Sequence, residues 1–407
     1  MKILMIAPQP FFEVRGTPLS VLGRLTALSR LGHEVDLLTY HVGETLAIPN
    51  VAIFRILSIP FIRHVPIGPS IRKLFLDILV IAKAFRMLLR TRYDVIHTHE
   101  EAGFFGIVLG RLFRVPHLYD MHSSLPEQLG NWKYGRFPPV IRLFERLERL
   151  VINKSHVIIA VCPALEERVR CTNDRIPCVL IENVPLTREP ETVSEAEVAQ
   201  FNMAHSLGTE RVVLYIGTFE SYQGLDILID AAVTILRAHR DVVFVFMGGK
   251  PDQIQRAQRQ VIALGLEARF RFTGTRPTDE TLVAIRSAHI LVSPRRRGTN
   301  TPSKVYAYLQ AGKPIVATSI AAHTQVLTSE VALLVDPHPE SLARGICALL
   351  ENPEFGDRLG KRARLLFEDR YSVRRFIGQT QQALRLLPAT DRHDVESPGD
   401  SGNPLSP

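Results

Sequence analysis

The sequence has little cysteine. Its 407 residues include four, whose spacings match no zinc-binding pattern: Cys162, Cys171, Cys178 and Cys347. Four thiols are too few to hold together a chain of this length, so we expect free cysteines in a reducing compartment. The chain is long enough for two or three domains and a large core. A disulfide-stapled miniprotein and a wholly disordered chain are therefore excluded.

Long apolar runs without charge are also missing. The most apolar stretch, Leu74 to Leu89, carries Asp77, Lys83 and Arg86, and three charges in a bilayer core would cost several kcal/mol. The opening MKILMIAPQP is typical of a first β-strand that enters a loop, with no room for a secretory signal. We therefore expect a cytoplasmic protein, or one that lies peripherally at the inner face of the membrane.

A dinucleotide fingerprint is absent too. The loop after the first strand contains only Gly16 where a GxGxxG motif would be needed, which argues against an NAD enzyme. Gly16 and Thr17 nevertheless open a helix, whose free backbone N–H groups suit a phosphate. The alternative is a loop in which a Ser or Thr caps the helix. The sequence predicts no cofactor.

Short apolar runs alternate with helical patterns along the whole chain. Most of these runs are continuous, which suits strands that are buried on both faces of a parallel sheet. The runs are KILMIAP, VDLLTYH, VAIFRI, DVIHTH, HLYDMH, HVIIAVC, CVLIEN, VVLYIG, VVFVFMG, RFRFTG, HILVSP, PIVAT and VALLV. Helical segments such as Ser20–Leu31, Leu225–Arg240 and Ser303–Ala311 lie between them. The sequence therefore predicts a doubly wound α/β protein.

Thirteen strands would make an unusually wide single sheet, so we expect two domains. The predicted division is a first domain over 1–185, a linker over 186–210 and a second domain over 211–387, whose last helix packs back on the first. A disordered tail is predicted over 388–407, which is rich in Pro, Ser and Gly. Such sheets bind ligands beyond the carboxyl ends of their strands, so the active site is expected in the cleft between the domains.

Three histidines fall at predicted strand ends. In YDVIHTHEE, His97 and His99 point to one face, because side chains alternate with period two, and we expect one to pack inside and the other to reach the cleft. Such a pair can bind a metal, but no third ligand follows at a clear spacing, so we predict none. His122 ends the next strand, where an imidazole suits sugar binding or catalysis. The alternative is that His122 is a core histidine whose ring hydrogen-bonds to Asp120 or Ser123.

The most informative segment is SPRRRGTNTPSKVYAYLQAGKPIVAT. A strand ends at Pro294, a polar loop follows, and a helix begins near Ser303 and stops at Gly312. Four cations surround the start of this helix: Arg295, Arg296, Arg297 and Lys304. Together with the helix dipole and its free N–H groups, they predict a diphosphate site. The alternative is an exposed basic loop.

The net charge of +8, with an isoelectric point of about 9.4, is unevenly distributed. Residues 61–93 hold seven basic residues against one acid, mostly in a predicted helix from Ile71 to Arg92. Either this helix packs on the sheet with a solvated basic edge, or it lies at an anionic membrane surface, where the loop Trp132–Phe137 would add a contact. The basic residues do not follow an aromatic-studded groove, so no nucleic acid partner is expected.

In their order and spacing, these segments resemble the group 1 or family four glycosyltransferases, which are retaining enzymes with the GT-B fold of two Rossmann-like domains. The resemblance covers roughly residues 1 to 387. It rests on GTPLSVLGRLTALSRLGHEVDLLT, DVIHTHEEAGFFG, DMHSSLPE, LIENVP, YIGTFESYQGLDILIDAA, FMGGKPD, FTGTRP and TPSKVYAYLQAGKPIVAT. It implies an α/β GT-B fold, a nucleotide-diphosphate-sugar donor on the second domain, an acceptor on the first, and usually no metal.

The resemblance also implies roles for single residues. Gly16 would approach the donor phosphate or the acceptor, and His122 would hydrogen-bond the transferred sugar in catalysis. His99 and Glu127 are candidates on the acceptor side. The remaining donor-binding candidates are Thr17, Thr218, Gln223, Arg295, Arg297, Gly298, Asn300, Thr301 and Lys304.

The chain departs from the family pattern at two places. The family usually has an Arg and a Lys where this chain has Thr218 and Gln223, and a pair of glutamates at positions that fall near Arg297 and Ala307. In one interpretation, a divergent enzyme moves its positive charge to the cations around Ser303, which a leaving diphosphate needs. In the other, a degenerate transferase binds its ligand without turnover.

We predict the active enzyme: a retaining glycosyltransferase that moves a sugar from a nucleotide-diphosphate-sugar donor to a saccharide or lipid-linked acceptor. The predicted setting is the synthesis of cell-envelope polysaccharide or glycolipid, with an anionic membrane surface as a further partner. One alternative is a catalytically silent subunit that binds a sugar nucleotide or assembles with others. Another is a sugar-nucleotide 2-epimerase, which would convert the donor without an acceptor.

Overall fold

The computed structural model describes most of the chain, namely residues 1–13, 16–62, 65, 70–126, 138–184 and 192–388. Three sequence predictions fall outside these residues. They concern the acceptor-side candidate Glu127, the loop Trp132–Phe137 and the tail from 389 onward.

The first sheet contains seven parallel strands among the described residues. They are β1 (Lys2–Ala7), β2 (Glu34–Thr39), β3 (Val51–Arg55), β4 (Val95–His99), β5 (His117–Met121), β6 (Val157–Ala160) and β7 (Cys178–Leu180). Their order is β3-β2-β1-β4-β5-β6-β7. Successive strands are therefore added toward one edge of the sheet from β1 to β3 and toward the other edge from β4 onward. Doubly wound sheets bind ligands at such a change in strand order, here between β1 and β4.

Five described helices cover this sheet. They are α1 (Gly16–Arg30), α2 (Ile71–Arg90), α3 (Ala102–Phe113), α4 (Pro138–Lys154) and α5 (Pro163–Thr172). Ser70 caps the start of α2 by accepting a hydrogen bond from the Lys73 backbone N–H. Helix α5 begins with Pro163, whose missing N–H costs nothing at a first helical position.

The second sheet contains six parallel strands among the described residues. They are β8 (Arg211–Ile216), β9 (Val242–Met247), β10 (Phe270–Gly274), β11 (Ile290–Ser293), β12 (Ile315–Thr318) and β13 (Leu333–Val335). The order β10-β9-β8-β11-β12-β13 reverses between β8 and β11. The described helices beside it are α6 (Glu195–Ala204), α7 (Leu225–Ala238), α8 (Pro251–Ala263), α9 (Thr278–Ser287), α10 (Ser303–Ala311), α11 (Ala321–Thr324), α12 (Pro339–Glu351), α13 (Pro353–Arg370) and α14 (Val373–Arg385).

The predicted fold class is confirmed, since two parallel sheets are each covered by helices. Each of the thirteen apolar runs forms one of the thirteen strands. Strands such as β4, β5 and β9 are buried at every position, as expected for strands that have helices on both faces.

Two features bear on the domain boundaries, which stay a prediction. Part of the stretch predicted as a linker is helical, because Ser194 and Glu197 form a reciprocal cap that starts α6. Helix α6 packs on α9, where the Ser287 hydroxyl bonds the Asn202 side chain at 2.6 Å. The last described helix, α14, packs on α1 and on the strands β6 and β7 of the first sheet.

Within the described part of the chain, none of the helices is both long enough and apolar enough to span a bilayer. The stretch Leu74 to Leu89 instead lies within α2, which packs on the first sheet through Leu76, Val80, Ala84 and Leu88.

Candidate functional site

Two loops of the second domain meet at the carboxyl ends of β8 and β11. Gly224 starts α7 with a φ of 72°, and a Cβ at this position would overlap the backbone carbonyl of Pro294. The Arg296 backbone N–H also donates to the Tyr222 carbonyl at 2.9 Å. The loop after β8 and the basic loop after β11 therefore form one surface at the point where the sheet reverses.

Lys304 is the charged group at the centre of this surface. Its Nζ lies 4.0 Å from the centre of the Tyr215 ring, and a Cβ at Gly217 would lie 3.5 Å from it. The ammonium is buried and has no hydrogen-bond partner among the described residues. Burial lowers the pKa of Lys304 well below its usual range, and the neighbouring Arg295 lowers it further. A buried amine of this kind, without a hydrogen-bond partner, is suited to an anionic ligand, which would favour its charged form.

Arg295 organises its own loop. Its Nε donates to the Arg297 carbonyl at 2.9 Å, and its Nη1 donates to the Asn300 carbonyl at 2.8 Å. Its guanidinium also lies over the Tyr222 ring at 5.2 Å, and burial lowers its pKa. A Cβ at Gly298, whose φ is 129°, would overlap the guanidinium, so glycine at that position lets the loop fold around Arg295.

The prediction that all four cations surround the start of α10 is corrected at one position. Arg296 forms an exposed ion pair with Asp226 on α7, so its charge is already paired away from Lys304. Arg297 is exposed, and its backbone carbonyl binds Arg295. Of these cations, Arg295 is the one whose charge lowers the pKa of Lys304 further.

Thr218 and Gln223 lie together beside this surface. The Gln223 Nε2 donates to the Thr218 hydroxyl at 3.5 Å, and the Thr218 carbonyl accepts from the Tyr215 hydroxyl at 2.7 Å. Gln223 is buried, and its Oε1 has no partner among the described residues. The sequence analysis missed Tyr215, since the run VVLYIG marks it only as a core position of β8.

On the first domain, three histidine rings form a stack at the ends of β4 and β5. The centres of His97 and His99 are 4.7 Å apart, and those of His99 and His122 are 5.0 Å apart. His99 Nδ1 and His122 Nε2 share a hydrogen bond of 2.7 Å. His97 and His99 are both buried, so the expectation that one of them reaches the cleft is wrong. His99 touches His122, which fits a role through His122 better than direct contact with an acceptor.

A single carboxylate holds the stack. Asp120 is buried, with Oδ2 3.4 Å from His97 and Oδ1 3.5 Å from His122, and it accepts a 2.9 Å hydrogen bond from Arg24 Nε. Burial alone would raise the pKa of Asp120, but Arg24 and the histidines hold it well below its usual range. Burial lowers the pKa values of His97 and His99. Both rings are therefore neutral near pH 7, and the carboxylate is charged.

The ligand atoms of His97, His99 and Asp120 lie within 4.8 Å of one another, which is close enough to consider a metal. Arg24 already neutralises the carboxylate, however, and a cation placed there would lie beside a fixed guanidinium. The donor set therefore fits an ion pair with hydrogen-bonded imidazoles better than a metal centre.

The cleft is bridged by the loop after β11. The Asn300 Nδ2 donates to the His122 carbonyl at 2.5 Å. Gln325 accepts from the Ala164 N–H at 3.2 Å and donates to the Thr301 hydroxyl at 2.8 Å. Asn300 and Thr301 thus lie at the boundary between the domains, and their donor-binding roles stay a prediction.

Gly16 and Thr17 lie at the start of α1, on the same edge of the first sheet. No described atom comes within 4 Å of a Cβ built on Gly16, so the backbone there is open to a ligand. The Thr17 hydroxyl donates to Glu100 Oε1 at 3.1 Å. Glu100, which the sequence analysis did not single out, has a φ of 50°, and its position directly after β4 was the available signal.

Comparisons with known proteins agree with this architecture. The family model for a glycosyl transferase 4-like domain matches residues 16–184, and the model for group 1 glycosyl transferases matches residues 200–366. An uncharacterized glycosyltransferase of Methanocaldococcus jannaschii is 25% identical over 91% of this chain and 95% of its own length. A phosphatidyl-myo-inositol mannosyltransferase of Mycobacterium leprae is 25% identical over 88% and 90%.

Solved structures share the fold. A sucrose-phosphate synthase from Thermosynechococcus elongatus has a TM-score of 0.75 at 20% identity and covers 94% of this chain and 98% of its own. The Anabaena protein HepE, in complex with UDP and glucose, has a TM-score of 0.73 at 19% identity over 95% and 99%. The two family models together span well over half of the sequence. This chain therefore belongs to the group 1 glycosyltransferases and is a glycosyltransferase of the GT-B type.

Proposed function

We propose that this enzyme transfers a sugar from a nucleotide-diphosphate donor to an acceptor hydroxyl, with retention at the anomeric carbon and without a metal ion. The observation that carries the proposal is the Lys304 ammonium, which is buried and has no hydrogen-bond partner in the described part of the chain. A buried amine without a partner is costly, and an anionic ligand would pair with it and favour its charged form, which explains why it is kept.

The start of α10 adds to this positive site. Pro302 precedes the helix, and no described side chain caps it, so the first N–H groups of the helix are available to an anion. The helix dipole favours negative charge at the same place. A diphosphate that contacts Lys304 and these N–H groups would need no separate cation, and the UDP and glucose in the solved Anabaena structure support a nucleotide-sugar donor.

The reaction follows from this placement of charge. As the bond between the anomeric carbon and the phosphate oxygen breaks, negative charge grows on the diphosphate, and Lys304 stabilises it most strongly at that stage. The acceptor hydroxyl attacks from the face that the diphosphate leaves and gives its proton to the departing phosphate oxygen. This course retains the anomeric configuration and needs no strongly basic side chain.

His122 is assigned to the transferred sugar. It lies across the cleft from the donor loop, and Asn300 fixes its backbone carbonyl. The ring is tied to His99 and Asp120, so it presents a fixed orientation to a sugar hydroxyl. Closure of the domains around the sugar would exclude water and limit hydrolysis of the donor.

The acceptor is proposed to be lipid-linked, because α2 has an apolar face that nothing in the described structure covers. The outer face of α2 is formed by six exposed apolar side chains: Leu74, Phe75, Ile78, Ile81, Phe85 and Leu89. Arg72, Arg86 and Arg90 are exposed along its edge. Apolar side chains bordered by cations complement an anionic bilayer surface, so we assign this face to membrane contact. The relative named as a phosphatidyl-myo-inositol mannosyltransferase supports a lipid acceptor.

The donor is tested by thermal unfolding with a panel of nucleoside diphosphates and their sugars. A ligand at 100 times its dissociation constant should stabilise the wild type by about 2.7 kcal/mol. Incubation of the preferred sugar nucleotide with lipid-linked saccharides then gives the product whose anomeric configuration proton NMR reports. An inverted product would overturn retention.

Two other outcomes would replace the proposal. Conversion of the donor without any acceptor would indicate a 2-epimerase, and tight donor binding with no turnover would indicate a silent subunit.

Membrane contact is tested by co-sedimentation with vesicles of phosphatidylglycerol and phosphatidylcholine. The double variant Leu74→Ser/Phe85→Ser should lose binding, whereas Leu365→Ser, at a 64% exposed leucine on α13, should not. Binding that persists in the double variant would contradict the assignment. A second copy of this chain would cover the face instead if the wild type binds no vesicles and sediments as a dimer, and the double variant sediments as a monomer.

A further inference from the structure

Arg24 on α1 is held from two sides. Its Nε donates to Asp120 Oδ2 at 2.9 Å, and its Nη1 donates to the Thr380 hydroxyl at 3.1 Å. The guanidinium also lies over the Phe376 ring at 5.0 Å. Arg24 is 2% exposed and Thr380 is 1% exposed, so water does not compete for these contacts.

Thr380 belongs to α14, the last described helix of the chain. Its hydroxyl donates to the Phe376 carbonyl at 2.9 Å, which fixes the hydroxyl proton and leaves a lone pair for Arg24. The neighbouring Gln379 ties the same helix to β7 by donating to the Leu180 carbonyl at 2.8 Å. Two separate side-chain hydrogen bonds therefore tie α14 to the first domain, and the one from Thr380 leads to Arg24.

We propose that Thr380 and Phe376 are positioning residues for His122, which act through Arg24 and Asp120. The guanidinium can bind the carboxylate in more than one orientation, because it has five donors. Contacts to Thr380 and Phe376 select the orientation in which Nε faces Asp120. The fixed carboxylate then sets the geometry of the stacked imidazoles.

The stack transmits this geometry to the cleft. Asp120 Oδ1 lies 3.5 Å from His122 Nε2. The same nitrogen forms a hydrogen bond with His99 Nδ1. Which ring nitrogen carries the proton in each histidine depends on these neighbours. Helix α14 thus determines the tautomer and orientation of the His122 ring, which it does not itself contact through any of the bonds above. The value of this for catalysis rests on the sugar-binding role proposed for His122.

The test compares Thr380→Val, which removes the hydroxyl at nearly constant volume, with Thr380→Ser, which keeps it. Gln379→Leu is the matched control, because it breaks the other contact of α14 and leaves Arg24 untouched. The readout is the ring 15N and 13C resonances of His122 in the ligand-free protein, assigned from the spectrum of His122→Gln. Thermal unfolding of each variant is measured alongside.

We expect Thr380→Val to shift the ring resonances of His122, and Thr380→Ser and Gln379→Leu to leave them in place. Unchanged His122 resonances in a folded Thr380→Val protein would overturn the proposal, as would an equal shift in Gln379→Leu. Should Thr380→Val not fold, Phe376→Leu removes the ring beneath Arg24 and is judged by the same criteria. Turnover of the sugar nucleotide that the panel identifies is measured for the same variants and concerns the proposed function alone. A shifted His122 ring with unaltered turnover would leave the positioning intact and contradict a catalytic role for this orientation of His122.

Discussion

The side-chain amide of Asn300 on the second domain donates a 2.5 Å hydrogen bond to the backbone carbonyl of His122 on the first. Asn300 belongs to the loop that Arg295 folds, and that loop leads directly into α10 and Lys304. The residue assigned to the donor diphosphate and the residue assigned to the sugar are therefore connected across the cleft by one short loop.

Replacement of Asn300 by alanine should shift the protein toward an open cleft. A hydrogen bond of this kind contributes about 1 kcal/mol, so the ratio of closed to open molecules should fall about fivefold. Small-angle X-ray scattering would show a larger radius of gyration. Asn153→Ala is the control, since that amide bonds within the first domain, donating to the Arg149 carbonyl and accepting from Asn173 Nδ2. An equal radius in Asn300→Ala and wild type would mean that this bond does not hold the domains together.

Asp120 and Arg24 should be strongly coupled. Asp120→Asn leaves a buried guanidinium without its carboxylate, which is expected to lower the free energy of unfolding by about 3–5 kcal/mol. The double variant Arg24→Met/Asp120→Asn removes both charges and should recover much of this loss. Urea denaturation of wild type, Asp120→Asn, Arg24→Met and the double variant gives the coupling energy. A loss of unfolding free energy in the double variant equal to the sum of the two single losses would contradict the buried ion pair.

Glu182 should make stability depend on pH. Burial raises its pKa to about 7, although the Tyr306 hydroxyl donates to it at 3.0 Å. Between about pH 4.3 and 7, the unfolded chain has released this proton and the folded protein still holds it, so rising pH favours the unfolded state. Wild type should therefore lose up to about 3 kcal/mol across this range relative to Glu182→Gln.

The measurement is urea denaturation of both proteins from pH 4.5 to 8. The gap between Glu182→Gln and wild type should open as the pH rises and become constant above about pH 7. Glu354→Gln, at an exposed glutamate of α13, serves as the control and should show no such change. A gap that is independent of pH would refute the raised pKa of Glu182.

The strands could be predicted because burial on both faces produces short, continuous apolar runs, and each of the thirteen runs became a strand. The helix at Ser303 was equally accessible, since Pro302 and Gly312 mark its two ends. The arrangement of positive charge around this helix could be predicted only in part. Nothing local shows that Arg296 pairs with Asp226, which is 70 residues away in the chain.

The histidine site shows the same limit more strongly. Arg24 lies on a helix where a lone charge suggests a solvated face, yet it is buried. Its partners are Asp120, 96 positions along the chain, and Thr380, 356 positions along the chain. Such partners are set by packing of the sheet, α1 and α14 rather than by sequence periodicity. The outer face of α2 could be predicted only in part. The sequence shows its basic residues, but it does not show that the described part of the chain leaves its apolar side chains exposed.

The most direct test of the central claim is thermal unfolding of Lys304→Met, with and without the nucleoside diphosphate that stabilises the wild type. Lys313→Met is the matched control: burial also lowers the pKa of Lys313, but this lysine lies at the opposite edge of the sheet, just before β12. Without ligand, Lys304→Met should be more stable than wild type, because a buried polar group without a hydrogen-bond partner has been removed.

With ligand at 100 times the wild-type dissociation constant, wild type and Lys313→Met should each gain about 2.7 kcal/mol, and Lys304→Met should gain almost nothing. This result would establish Lys304 as the diphosphate-binding group. A ligand-induced gain in Lys304→Met equal to that of wild type would contradict the account.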